Sequence, residues 1–146
     1  MKIAIGADHG GYELKQHIIA LFSHKGYEFL DMGTDSAESV DYPDYAFRVG
    51  KNVTKGDCDC GIVICSTGIG VSIAANKVTG VRAAHCTDSY TARMSRHHNN
   101  ANVLALGAKI TGVAIAEEIV EVFLTEGFDG GRHERRVEKM DGYKNI

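Results

Sequence analysis

The residues best equipped for chemistry stand at the end of one apolar run. Gly61-Ile-Val-Ile-Cys65 is followed by Ser66-Thr67-Gly68-Ile69-Gly70-Val71-Ser72, then by small residues as far as Lys77. A β-branched run that stops at a thiol and two hydroxyls, turns on glycines and continues as a helix reads as a buried strand feeding a helix N-terminus. A thiolate there is stabilised by the positive end of the helix dipole and by nearby amides. The plainer alternative is an inert buried thiol, a common state for free cysteine. Gly68 and Gly70 do not complete a P-loop or a Gly-x-Gly-x-x-Gly fingerprint. They do let the amides from Gly68 to Ser72 approach an oxyanion closely, because glycine has no Cβ to block the approach.

Three further clusters carry polar chemistry. Asp8-His9 reads as an acid–base and hydroxyl-binding pair, or as a helix cap beside a surface histidine. His97-His98-Asn99-Asn100 is denser in polar groups than a helix end needs, although one histidine there can simply complement the dipole. Arg132 and Arg136 are four apart and share a face if the tail is helical. They then clamp a phosphate together with His9 or Lys109, or form a solvated charged face.

Composition bounds what these groups belong to. At 146 residues with a formal net charge of −3, the chain fits one domain spanning 1–146 and has no basic run to suggest nucleic acid. No apolar stretch approaches the ~18 residues of a membrane span, and Met1-Lys-Ile-Ala-Ile-Gly-Ala-Asp8 meets charge too early for a signal peptide. A cytoplasmic protein is expected. Cys58, Cys60 and Cys86 have poor zinc spacing and read as small core or edge residues in a reducing compartment.

Strands are predicted at Lys2–Ala7, Tyr27–Asp31, Cys60–Cys65, Val81–Cys86 and Asn102–Leu106. Helices are predicted at Tyr12–Lys25, Tyr45–Lys55, Val71–Val78, Ser89–His98 and Gly112–Glu126, the last with Val113, Ile115, Ala116, Ile119, Val120 and Phe123 on its inner face. A charged tail follows. Five strand–helix alternations imply a Rossmann-like three-layer α/β/α domain with a parallel sheet and right-handed crossovers. The order expected is 2-1-3-4-5, with the switch point between strands one and three. Asp8-His9 and Cys65-Ser66-Thr67 then meet at the carboxyl ends of those strands. The fourth helix runs back to the amino edge, so His98 lies at the wrong end of its own subunit to reach Cys65. If it is catalytic, it acts in a neighbouring subunit.

Ala7-Asp8-His9-Gly10-Gly11, Asp41-Tyr42-Pro43, Cys65-Ser66-Thr67-Gly68-Ile69-Gly70, Ala74-Ala75-Asn76-Lys77, Arg96-His97-His98-Asn99, Asn102-Val-Leu-Ala and Gly130-Gly131-Arg132-His133 resemble, in order, the motifs of the B-type ribose-5-phosphate isomerases. The wider family includes the galactose-6-phosphate isomerase subunits. The resemblance implies that Cys65 is the base moving a proton between C1 and C2 through a cis-enediolate, with amides of Gly68, Ile69, Gly70, Val71 and Ser72 near the enediolate oxygen. It implies that His98, helped by Thr67 or Asp8, opens the furanose ring. Asp8, Tyr42, Ser66 and Asn99 would bind the sugar, and His9, Lys109, Arg132 and Arg136 the phosphate, in a homodimer with shared sites and without metal or cofactor. Pairing of dimers into a tetramer is left open. Relatives that use a glutamate base carry it at the position of Val71, which cannot ionise. Lys109 stands where arginine is common, and lysine lacks the bidentate fork.

Two other readings fit the sequence. One is the same isomerisation of a six-carbon phosphate such as allose 6-phosphate or galactose 6-phosphate. The other is a non-catalytic nucleotide-binding module, since fold alone does not fix function.

Overall fold

The computed structural model describes residues 1–143. In chain order its elements are β1 (Lys2–Ala7), α1 (Tyr12–His24), β2 (Glu28–Asp31), α2 (Tyr42–Thr54), β3 (Cys60–Cys65), α3 (Ile69–Ala75), β4 (Ala83–His85), α4 (Ser89–Asn99), β5 (Val103–Gly107), α5 (Val113–Thr125) and α6 (Arg132–Asp141). All strand pairs are parallel. Side-chain alternation along the central strands divides the core in two. Ile3 and Ile5 of β1, Ile62 and Ile64 of β3, and Leu104 and Leu106 of β5 face α1, α4 and α5. Ala4, Val63, Cys65, Val103 and Ala105 face α2 and α3.

The alternating architecture is as expected, but the strand order is β2-β1-β3-β5-β4 rather than 2-1-3-4-5. A strand buried on both faces must be apolar throughout, and Val103–Gly107 is buried at every residue. β4 is only Ala83–His85 and partly exposed, so it takes the edge. Its outer side is covered at one rung by Asn76, whose amide accepts from Ala83 N–H at 2.8 Å and donates to Ala83 C=O at 3.0 Å.

Two helix starts also differ from expectation. α2 begins at Tyr42, because Pro43 sits in its first turn, where a missing N–H loses no bond. α3 begins at Ile69, directly after the glycine turn. On α5 the inward stripe is Ala116, Ile119, Val120 and Phe123. Val113 and Ile115, expected on that face, are 52% and 47% exposed. Ile115 lies about 100° around the helix from Ala116, off the stripe. The charged tail is the helix α6, packed against α4.

Among the described residues, one charge is fully buried. Lys15, 0% exposed, donates to both oxygens of Asp31 at 2.6–2.7 Å. Asp31 also accepts from Gly33 N–H, and Gly33 C=O in turn takes the Ala7 N–H. The pair thereby fixes the segment that borders the end of β1.

Candidate active site

Cys65 ends β3 on the α2/α3 side of the sheet. The residue is 5% exposed, and its Sγ receives the Gly68 N–H at 3.1 Å. Gly68 has φ +81°, and a Cβ there would stand 2.7 Å from the His85 ring and 2.8 Å from the Leu106 carbonyl carbon. Only glycine makes this turn without displacing both neighbours.

Asp8 arrives from β1. Its N–H donates to Ile64 C=O, the residue before Cys65, at 3.2 Å. Its Oδ1 accepts from Gly10 and Gly11 N–H at 2.9 and 3.2 Å, and Oδ2 takes no hydrogen bond among the described residues. The loop lies so close to the Cys65 turn that a Cβ on Gly10 would fall 2.3 Å from Ser66 Oγ. The two polar clusters therefore meet at the β1/β3 switch point. His9 is exposed, and its Nδ1 accepts the Val40 N–H at 3.2 Å, which leaves Nε2 for a ligand. The Tyr42 ring lies against Gly70. Lys109 joins this edge through its backbone N–H, 2.9 Å from Ser66 C=O, with its side chain exposed.

Of the five amides from Gly68 to Ser72, three have protein acceptors. Gly68 N–H serves the sulfur, Ile69 N–H donates to Thr67 Oγ1 at 3.3 Å, and Ser72 N–H donates to Gly68 C=O. Among the described residues, the amides of Gly70 and Val71 have no protein acceptor, as the first turn of a helix requires. The Val71 side chain is buried and apolar.

His98 and Asn99 stand at the opposite edge. Gly61 N–H, at the start of β3, bonds Asn102 C=O just past the end of α4. The run from there to Cys65 is about 13 Å of strand. The His98 ring stacks on that of His133, centroids 4.3 Å apart and planes 11° from parallel. Arg132 and Arg136, both exposed, lie beside them on α6. Burial first, then the neighbouring His98, Arg132 and Arg136, push the His133 pKa down. His98, Asp129 and His133 each offer a ligand atom within 4.8 Å of the others. Stacked rings aim their lone pairs side by side rather than at one point, so this is not a preformed metal centre. Asn99, His98, Arg132 and Arg136 thus do not meet Cys65 within one chain.

Burial raises the pKa of the other three thiols, that of Cys60 to about 12. They are buried packing groups, as their spacing suggested. Sequence reasoning overlooked His85, whose ring rests on the Gly68 turn. Its position at the carboxyl end of an edge strand was the available signal.

A profile of the Ribose/Galactose Isomerase family matches residues 3–140. Ribose-5-phosphate isomerase B of Escherichia coli is 49% identical over 139 residues, covering 95% of this chain and 93% of that protein. The structure of ribose-5-phosphate isomerase B from Clostridium thermocellum superposes with a TM-score of 0.96 at 57% identity, covering 97% of this chain and 95% of that one. The Mycoplasma genitalium isomerase B, solved with bound ribulose-5-phosphate, gives 0.92 at 42% identity, covering 96% and 93%.

Proposed function

The chain belongs to the ribose/galactose isomerase family, and from that membership we propose that it interconverts D-ribose 5-phosphate and D-ribulose 5-phosphate. The observation that carries the reading is the Cys65 sulfur, held by the Gly68 N–H beside Asp8 and the unpartnered Gly70 and Val71 amides. Isomerisation needs a base over the C1–C2 bond and donors where the enediolate charge develops. Cys65 as thiolate removes the proton from C2 of the open-chain aldose. The carbonyl electrons move to O1, and the Gly70 and Val71 amides receive that charge. A proton passes from the C2 hydroxyl to O1, and the thiol returns its own proton to C1 as the ketone forms at C2 and C1 becomes the primary alcohol.

Before this, the furanose must open. His98 of a second copy, assisted by Thr67 or Asp8, moves protons between the anomeric hydroxyl and the ring oxygen. Asp8, Tyr42, Ser66 and the partner's Asn99 hold hydroxyls. His9 and Lys109 of one copy, with Arg132 and Arg136 of the other, hold the phosphate. We read the assembly as a cytoplasmic homodimer of one-domain subunits in which each site draws on both chains and no metal or organic cofactor takes part. The separation of His98 from Cys65 within one chain supports the sharing.

A rate comparison on ribose 5-phosphate and on allose and galactose 6-phosphates tests the substrate. Turnover confined to the six-carbon compounds would replace the reading. Mixing Cys65→Ala with His98→Ala chains tests the sharing, because hybrids contain one intact site and should regain activity that neither parent has.

A further inference from the structure

The loop from Glu126 to Gly131 joins α5 to α6 without regular structure of its own, and one imidazole grips it at two points. His97 Nε2 is 2.6 Å from Glu126 Oε2, and Nδ1 is 3.0 Å from Asp129 Oδ1. The His97 carbonyl also accepts the Asp129 N–H at 3.1 Å. A neutral imidazole has one N–H and could donate to only one of these carboxylates. Two carboxylates this close to one ring favour the imidazolium.

The charged surroundings come from three elements. On α4, Arg93 Nε donates to Glu126 Oε1 at 3.1 Å and Arg96 Nε to Glu126 C=O at 3.2 Å. The loop supplies Glu126 and Asp129. α6 presents Arg132, His133 and Arg136 beyond Asp129, while His98, next along α4, is stacked on His133. We propose that His97 is a positioning residue: by clasping Glu126 and Asp129 it sets the loop from which α6 departs, and so places His98, Arg132 and Arg136 for the reaction. This rests on the reading of those three residues as half of a shared site. The hydrogen bond to Glu126, and then the charge of Asp129, hold the His97 pKa above its ordinary value against the opposing effect of burial. The clasp therefore persists to higher pH than a free imidazolium allows and loosens as pH rises through the His97 pKa.

The test uses the full-length protein with His97→Ala and His97→Gln. Loss of a charge-assisted pair predicts that KM for ribose 5-phosphate rises about tenfold in His97→Ala, with a smaller change in kcat. His97→Gln, which keeps one hydrogen bond but never a charge, should recover part of that loss and show no alkaline rise in KM. Amide-exchange protection of residues 126–131 should fall with rising pH in the wild type and be low at every pH in His97→Ala. Wild-type KM in both variants overturns the proposal, as does protection that ignores both pH and substitution. The Cys65→Ala and His98→Ala mixture is run alongside. Failure there with the His97 effects intact strikes the shared site, whereas rescue there without His97 effects strikes only the clasp.

Discussion

At the carboxyl edge of the sheet, Cys65 and Asp8 are buried and fixed by main-chain groups: Gly68 N–H on the sulfur, Gly10 and Gly11 N–H on the carboxylate. At the amino edge, His98, Asn99, Arg132 and Arg136 are half-buried or exposed, and side chain holds side chain through the His97–Glu126–Asp129 clasp and the Arg82–Asp141 ion pair. The first half is finished when the strands register. The second depends on ionised groups and so answers to pH and salt, as exposed pairs do. Preorganisation is thus spread unequally over one proposed reaction centre.

Removing the proposed base is the harshest way to probe that inequality. Cys65→Ser should leave the melting temperature nearly unchanged and lower kcat by roughly a thousandfold, within the range for a general base. Near-normal turnover removes Cys65 from the mechanism. Gly68→Ala, meeting both the positive φ and the His85 ring, should destabilise by about 1–3 kcal/mol and impair turnover as well, read by denaturant unfolding and by kcat. The equivalent intrusion at the amino edge should spare folding. A Gly68→Ala protein with wild-type stability would mean that the carboxyl edge is less rigid than described.

His97 and His133, both at the amino edge, should titrate on opposite sides of their common starting value. His97, raised from 6.5, adds stability that is fully present below that pH and is lost as pH rises through its folded value. His133, lowered from 6.5, resists protonation, so stability declines as pH falls below 6.5 through its folded value. Glu126, lowered from 4.5 by His97 and Arg93, surrenders its share only in stronger acid. Proton NMR of the ring hydrogens reads both histidines directly, and coincident midpoints would contradict the arrangement. The smallest effect is expected at Thr111, whose Oγ1 is buried with no hydrogen-bond partner among the described residues. Thr111→Val should be neutral or stabilising by up to about 1 kcal/mol in thermal unfolding.

Much of the carboxyl half was legible in the sequence because its information is local. A β-branched run, a thiol, a glycine turn and small residues follow one another, and Asp8 ends the other strand at the switch point. The exchange of β4 and β5 was harder to read. Both are short and apolar at their centres, and only the uninterrupted Val103–Gly107 run against Arg82 and His85 distinguishes a central strand from an edge. The second helix is expected only from Tyr45, although Pro43 suits a first helical turn. At the amino edge the doubled histidine drew notice. What His97 does is set by Glu126 and Asp129, whose approach arises from the packing of α4 against α5 and α6 and leaves no periodic trace.

The Asn76 side chain has an effect that reaches outside the single molecule. By imitating one residue of a sixth strand against Ala83, it occupies the rung through which another chain would begin to zip onto β4. Strand addition is thereby blocked at that rung of β4, and a concentrated solution is denied one ready route to fibrous growth.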